Sequence, residues 1–382
     1  MDANPPRDLI QRLDELPDPR AHNIVHPLTN VVVIAILGIC SGCEDWDEVE
    51  IFGKSYPDLL GLFLDLSTGI PSHDTFERVF RALDPDAFEQ FFQGYVTTLS
   101  HAGKAKGLKP GLQSLAIDGK TLRSSFKDAN RSTAVHMVSA WSHEQGLVLG
   151  QIATDVKSNE ITAIPRLLEM LDLTHRVVSI DAMGCQRDIA KQIVEQGGFY
   201  LLQIKGNQEN LLELTERGFA GGLPILSQAS TPIEVGHGRT ELRSLDTVSA
   251  VDAGVDLNDW PDAQTLIRQR GVRGIGQEVS GHDRYYLTNL PHNDAEDLLG
   301  RCRHHWGVEN KLHWVLDVVL KEDGSRIRED HGAENMARLR RLAVNLINAA
   351  PPPHGKKMSQ KMKRKAAGWD LNYLLNIMFG VA

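Results

Sequence analysis

The sequence predicts an α/β protein, with an all-α domain ahead of its core and a mainly β insertion within it. Two stretches and one succession of elements carry that expectation. Residues 177 to 186, VVSIDAMGCQ, are a β-branched run that ends in Asp181 and passes through a small-residue turn into a helical pattern. An apolar run of that length bounded by a turn reads as a buried parallel strand, and an acid at its carboxyl end faces the crevice where α/β sheets place their chemistry. Residues 115 to 120, LAIDGK, repeat the pattern upstream, with Asp118 before Gly119. Between and after them, strands are expected at 115–117, 135–141 and 147–153 with hairpin-length connections. A helix at 161–171, a strand at 177–180, a helix at 188–196 and a strand at 199–205 follow. That order, β-β-β-α-β-α-β with acids on the first and fourth strands, is the ribonuclease H-like arrangement, and it raises metal-dependent phosphodiester chemistry as the first hypothesis.

Length and composition set the frame. With 382 residues the chain can bury a large core, and about two domains are expected. Its apolar share of 41% and charged share of 24% are those of an ordinary soluble globular protein. The start, MDANPPRDL, has no basic region ahead of an apolar one, so no secretory signal is expected. The apolar run at 31–39 is too short to span a bilayer, which leaves a cytoplasmic protein with no membrane partner. Four cysteines do not make a disulfide framework in a chain this long. Cys40 and Cys43 form a lone CxxC without the further ligands a closed zinc site needs, and read as small buried residues.

The net charge of −9 is unevenly spread: −8 over residues 1–110, −8 over 111–300 and +7 over 301–382. Lys356, Lys357, Lys361, Lys363, Arg364 and Lys365 lie within ten residues, a phosphate-binding footprint if they share one face and a solvated basic tail if they do not.

Residues 1–105 read as helical throughout. A short amphipathic helix at 9–16 is broken by Pro17 and Pro19. An almost wholly apolar helix at 28–41 and a further one at 46–52 follow. Ser72 stands at an N-cap before a helix burying Phe76, Val79, Phe80 and Leu83, closed by Asp84 and Pro85. Its partner spans 87–99. Such a pair could be a DNA-reading helix-turn-helix, but the charge of this region favours packing or protein contacts, since groove binders need cations at the phosphates. The glycines and lysines of 101–111 mark a linker, with a catalytic domain from 106 to 350 and a basic carboxyl-terminal segment at 351–382.

Within the core, residues 157–160, KSNE, precede the first helix, where Asn159 can cap it and Glu160 can favour its positive end. Lys205 and Gln208 flank the last core strand, near where a phosphate would pass. Residues 216–288 are the β-rich insertion. It contains GHGRTELR, in which His237, Arg239, Glu241 and Arg243 alternate and share one strand face. Those cations read either as a hairpin gripping the DNA backbone or as the solvent face of an edge strand.

Helix returns at 295–320, where a third acid is sought. Cys302, His305, Glu309, His313 and Leu316 fall on one stripe at i, i+3 and i+4 spacings, and Trp306 and Trp314 stand beside it. Glu309 fits best, because a helix after the insertion must return across the sheet ends that carry Asp118 and Asp181. Asp317, Glu322 and Asp323 compete with it.

On these residues the chain resembles the DDE-type insertion-sequence transposases, specifically the ISAs-one family. The resemblance is carried by IDGKTLR from Ile117, KSNEITAIP from Lys157, SIDAMGCQ from Ser179, LQIKGNQ from Leu202, HGRTELR from His237, HHWGVENKLHWVLDVVLKED from His304 and ENMARLRRLAVNL from Glu334. It covers nearly the whole chain, including an amino-terminal transposase-associated domain. It implies a catalytic and metal-holding triad of Asp118, Asp181 and Glu309 with two Mg²⁺, for which Mn²⁺ would substitute. It implies cleavage at the element's ends and strand transfer, with terminal inverted repeats and target DNA as partners and a homodimer on DNA. Wider relatives place Tyr and Arg before the Glu and Lys after it; here those positions hold Cys302, His305 and Leu316, so His305 takes the arginine's place as a DNA contact. A ribonuclease H-like nuclease that does not join strands, and a non-catalytic DNA-binding relic, are the alternatives.

Overall fold

The computed structural model describes residues 5–22, 24–105, 111–126, 134–154, 160–236 and 238–380. In chain order, helices come first: α1 (Pro5–Asp14), α2 (Leu28–Ser41), α3 (Trp46–Ser55), α4 (Pro57–Leu60), α5 (His73–Ala82) and α6 (Pro85–Ala105). The core follows as β1 (Gln113–Thr121), β2 (His136–Ser142), β3 (Leu147–Thr154), α7 (Glu160–Glu169), β4 (Arg176–Ile180), α8 (Arg187–Glu195), β5 (Phe199–Ile204) and α9 (Glu209–Arg217). Next are β6 (Ser227–Ser230), β7 (Glu234–Gly236), β8 (Arg239–Ser249), α10 (Ala250–Ala253), β9 (Thr265–Ile275) and β10 (Glu278–Thr288). The chain ends with α11 (Ala295–His305), α12 (Trp314–Val318), α13 (Gly332–Ala349), α14 (Gln360–Trp369) and α15 (Leu371–Phe379).

Contacts divide the chain into two compact units. One comprises Met1–Lys109, Gly119–Asn159 and Glu309–Ala382, the other Pro110–Asp118 and Glu160–Val308. The linear division expected at residue 105 is thus not how the contacts group, because the amino-terminal helices pack with α13 and α14 from the far end of the chain.

In the first unit, α2 is apolar on every side, and a helix of that kind belongs inside a core. Twelve of its fourteen residues are buried. Cys40 is inside it, but Gly42 ends the helix, so Cys43 lies beyond it, half-buried. Burial pushes both thiols up to about 12. No single described helix is long and apolar enough to cross a membrane. Ser72 does stand before α5, yet its hydroxyl meets Thr75 Oγ1 at 3.2 Å and caps no backbone N–H. The partner helix is longer than expected. Phe88, Phe92, Tyr95 and Val96 keep a helical burial period running, and α6 continues through Gly103 into the expected linker. The strands of this unit are β3, β2 and the end of β1, in that order. β2 and β3 are an antiparallel hairpin, whereas residues 122–135 make the β1–β2 connection longer than a hairpin turn.

In the second unit the order is β1-β4-β5-β10-β9-β8-β6, with β7 paired to β8. β1, β4 and β5 are parallel, and β10 joins β5 antiparallel. The last strand of the insertion therefore belongs to the core sheet itself. Val177, Leu201, Leu245, Ile267 and Tyr286 bury one sheet face against Leu298, Leu299 and Cys302 of α11. Within this unit the neighbours β1, β4 and β5 stand in the order that the ribonuclease H-like succession predicts for them.

Candidate active site

Register places the two aspartates side by side. β1 and β4 pair in parallel up to Ile117 and Ile180, so the next residue on each strand is a candidate acid, Asp118 beside Asp181. Neighbouring strands lie about 4.8 Å apart. Ser114 is level with Val177 and Ala116 with Ser179, and alternation carries both acids onto that same face, the one α11 covers.

Two consecutive histidines at the end of α11 hold these strands. His304 Nδ1 lies 2.9 Å from Ser114 Oγ on β1, and His305 Nδ1 lies 3.1 Å from Ser179 Oγ on β4. Arg301 adds a donor to Ser114 Oγ at 3.3 Å and to the Leu112 carbonyl at 3.4 Å. Burial pushes the His305 imidazole down, with the Asp181 charge pulling the other way. One nitrogen of His305 is thus committed within the fold.

Asp181 also caps. Its Oδ1 accepts from Met183 N at 3.0 Å and starts the tight turn Ala182–Gly184. Capping occupies one oxygen of this carboxylate, and Oδ2 makes no hydrogen bond among the described residues. Gly184 is required there: a Cβ would lie 2.2 Å from Ile180 Cγ2. The loop after β5 braces this turn, with Asn207 Nδ2 donating to the Ala182 carbonyl at 2.7 Å and Gln208 Nε2 to the Cys185 carbonyl at 2.8 Å. Sequence reasoning missed Asn207. Its signal was the polar pair Asn207-Gln208 directly after a buried strand.

The helix expected over 295–320 is interrupted. α11 stops at His305, and Glu309 opens a π-helical turn, Glu309–His313, before α12. The stripe joining Cys302, His305, Glu309 and His313 by i, i+3 and i+4 steps is therefore not formed, because the turn bonds i to i+5; single π-turns of this kind are frequent at functional sites. Glu309 is exposed, its carboxylate makes no hydrogen bond or ion pair among the described residues, and it is the first residue of the first unit's last segment.

The competing acids are engaged elsewhere. Lys120 Nζ lies 2.7 Å from Asp317, 2.8 Å from Asp323 and 3.4 Å from Glu322, and Glu322 also meets Arg341 at 2.7 Å. Among the described residues no group of three His, Cys, Asp or Glu side chains is gathered closely enough to hold a metal ion.

Seven of the nine expected DNA contacts sort into three sets. Lys205, Lys356 and Lys357 are exposed. Arg239 pairs with Glu241 at 3.0 Å, and Arg243 with Glu234 at 2.8 Å and with Glu241, so β8 carries an ion-paired face and is no open edge. Lys363 and Arg364 are a correction. Lys363 is buried and donates to the Ile347 and Ala350 carbonyls, and Arg364 donates to those of Ile39, Val319 and Cys43. Their donors are spent inside the fold, and neither reaches a phosphate. His237 and the residues 157–159 lie outside the described residues.

Fold and site define a ribonuclease H-like α/β protein with two aspartates side by side where the parallel pairing of β1 and β4 ends. Residues 109–346 match the family described as Transposase DDE domain, and residues 10–96 the one described as DDE_Tnp_1-associated. The chain is 36% identical to "Putative protein YbfL" of Escherichia coli K12 and 36% identical to "H repeat-associated putative transposase YhhI" of the same strain, each alignment covering 98% of both chains. It is similar, at 10% identity and a TM-score of 0.47, to a chain in a cryo-EM structure titled as a piggyBac transposase synaptic complex with hairpin DNA, covering 97% of this chain and 78% of that one. This chain belongs to the Transposase DDE domain family.

Proposed function

We propose that this chain cleaves DNA at the ends of an insertion sequence of the ISAs-one type and joins those ends to target DNA, as two copies on DNA. The observation that carries the reading is the pairing of Asp118 and Asp181 on one sheet face. Their donor set fits Mg²⁺ or Mn²⁺, which take hard carboxylate oxygens. Asp118, Asp181 and Glu309 would hold two such ions. Ions held there would supply Lewis acidity for a water or 3′-hydroxyl nucleophile and for the departing oxygen. The residues do the rest: the serine–histidine contacts fix both strand ends, and Asn207 and Gln208 fix the turn behind Asp181. The exposed Lys205, Lys356 and Lys357 are the phosphate contacts.

A labelled duplex carrying the element's own terminal repeat tests this, incubated with Mg²⁺, Mn²⁺ or EDTA beside Asp181→Asn and Glu309→Gln. Metal-dependent nicking at the repeat boundary and joined products are expected from the unsubstituted protein, with neither from the variants and end binding retained. Nicking without joining supports the nuclease, and binding without cleavage in any metal supports the DNA-binding relic. Substantial cleavage by Asp181→Asn removes that residue from the triad.

A further inference from the structure

The far end of the β9–β10 hairpin carries an open strand edge. β9 pairs with β10 from Glu278 to Thr288, but on the other side β5 reaches only from Tyr285 to Thr288. Among the described residues no strand pairs with the outer side of 278–284. The segment is exposed up to Gly281, His282 and Asp283, and Arg284 is half-buried. Such an edge is a template for another strand, and sheets that must stay single blunt it with proline, a bulge or charged side chains, lysine above all. EVSGHDR has no proline or lysine and its register with β9 runs unbroken; its charges, Glu278, Asp283 and Arg284, are of both signs and admit a strand of complementary charge.

The sheet beside this edge is also uncovered. One row crosses four strands as Val235, Thr240, Gly274 and Val279. Val235 is 79% exposed and Val279 75%. The opposite face at this end holds the ion-paired residues Glu234, Arg239, Glu241, Arg243 and Arg273.

What fits the edge is a copy of itself. Antiparallel pairing that uses all seven residues has its two-fold axis at Gly281. Glu278 of each copy then stands opposite Arg284 of the other, Ser280 opposite His282, and Gly281 opposite Gly281. No like charges meet. Arg284 lies over the Trp306 ring at 4.6 Å, a contact made with its face that leaves its N–H edge for a carboxylate. We propose that residues 278–284 of β10 form a self-pairing edge, through which two copies of this chain join in an isologous two-fold contact. This supplies a surface for the two-copy arrangement proposed above, and its test uses no DNA, so that failure of one is distinguishable from failure of the other.

Sedimentation of the full chain over a dilution series, without DNA, decides it. The unsubstituted protein sediments as a dimer that dissociates on dilution. Glu278→Arg and Arg284→Glu each set like charges opposite one another twice, and each weakens self-association by roughly tenfold or more. An equimolar mixture of the two variants restores the dimer, because every introduced charge then faces its opposite. Glu278 is exposed, so that variant keeps the test valid if Arg284→Glu misfolds, and far-ultraviolet dichroism confirms folding. A monomer at every concentration overturns the proposal. So does a dimer that Glu278→Arg leaves unchanged, or a mixture of two folded variants that associates no better than either alone.

Discussion

Arg364 and Lys356 belong to one basic run and have opposite fates. Helix ends leave carbonyls without partners, and Arg364 serves two such ends, at Ile39 and Cys43 after α2 and at Val319 after α12. Arg364→Met should cost about 3 kcal/mol in urea unfolding, by stranding buried acceptors, and leave the salt dependence of DNA binding unchanged. Lys356→Ala with Lys357→Ala should do the reverse: stability stays level and the slope of log K against log salt becomes shallower by about 2. The charge of this run was legible in the sequence. Which cations face inward was not, because that depends on how α14 is rotated against the carbonyls of α2. A pH-dependent tie joins α3 to α5. Glu50 accepts from His73 N at 2.6 Å and from Nδ1 at 2.7 Å, and Lys54 and His73 hold its carboxyl down at about 2. His73 is raised above 6.5 by the same carboxylate. The Glu50 contribution is present above 4.5 and lost as pH falls toward 2, and that of His73 is complete below 6.5 and lost as pH rises through its raised value. Melting curves should therefore show the largest deficit for Glu50→Gln between those two limits, shrinking on either side.

Elements, rather than single side chains, carry the aspartates. Apolar runs, each bounded by a turn and ending in an acid, located β1 and β4 from sequence, and with them Asp118 and Asp181. The clasp by His304 and His305 was less legible, because Ser114 and Ser179 look like ordinary strand residues until register puts them level with α11. The π-turn at Glu309 was invisible, since an i to i+5 turn leaves no periodic mark over five residues. Lys120 is the clearest case of a role that only the fold reveals. It lies two residues past Asp118 on β1, and its ammonium gathers Asp317, Glu322 and Asp323, some two hundred residues away. Burial pushes the Asp317 carboxyl up in spite of that partner. Lys120→Met would leave three crowded carboxylates without their shared cation, which should cost about 3–5 kcal/mol in denaturant unfolding. Lys120→Arg should recover part of it. A loss below 1 kcal/mol would mean that solvent already screens the cluster.

At the scale of the whole molecule, the chain passes between the two units at residues 109/110, 118/119, 159/160 and 308/309, and two of those passages are at Asp118 and Glu309. Composition and pattern predict the amino-terminal helices as a domain closing at residue 105. Their core, however, is completed from the other end of the chain. Asn335 on α13 donates to the Phe80 and Leu83 carbonyls at 2.9 and 2.8 Å, Arg338 meets the buried Glu89 at 3.2 Å, and Arg364 on α14 closes α2. Burial lifts the Glu89 carboxyl to about 7 even beside that guanidinium. Without α13, Glu89 would be a buried acid lacking its partner, and the apolar sides of α2 that α13 and α14 cover would face water. Local patterns show where helices begin and end, but not that two helices more than two hundred residues apart share one core. A fragment of residues 1–105 should therefore keep helical far-ultraviolet dichroism, lack near-ultraviolet dichroism and bind a hydrophobic dye. Adding residues 309–382 through a flexible linker should restore a cooperative thermal transition. A sharp, cooperative melt from the isolated 1–105 fragment would show that these helices hold their fold without α13 and α14.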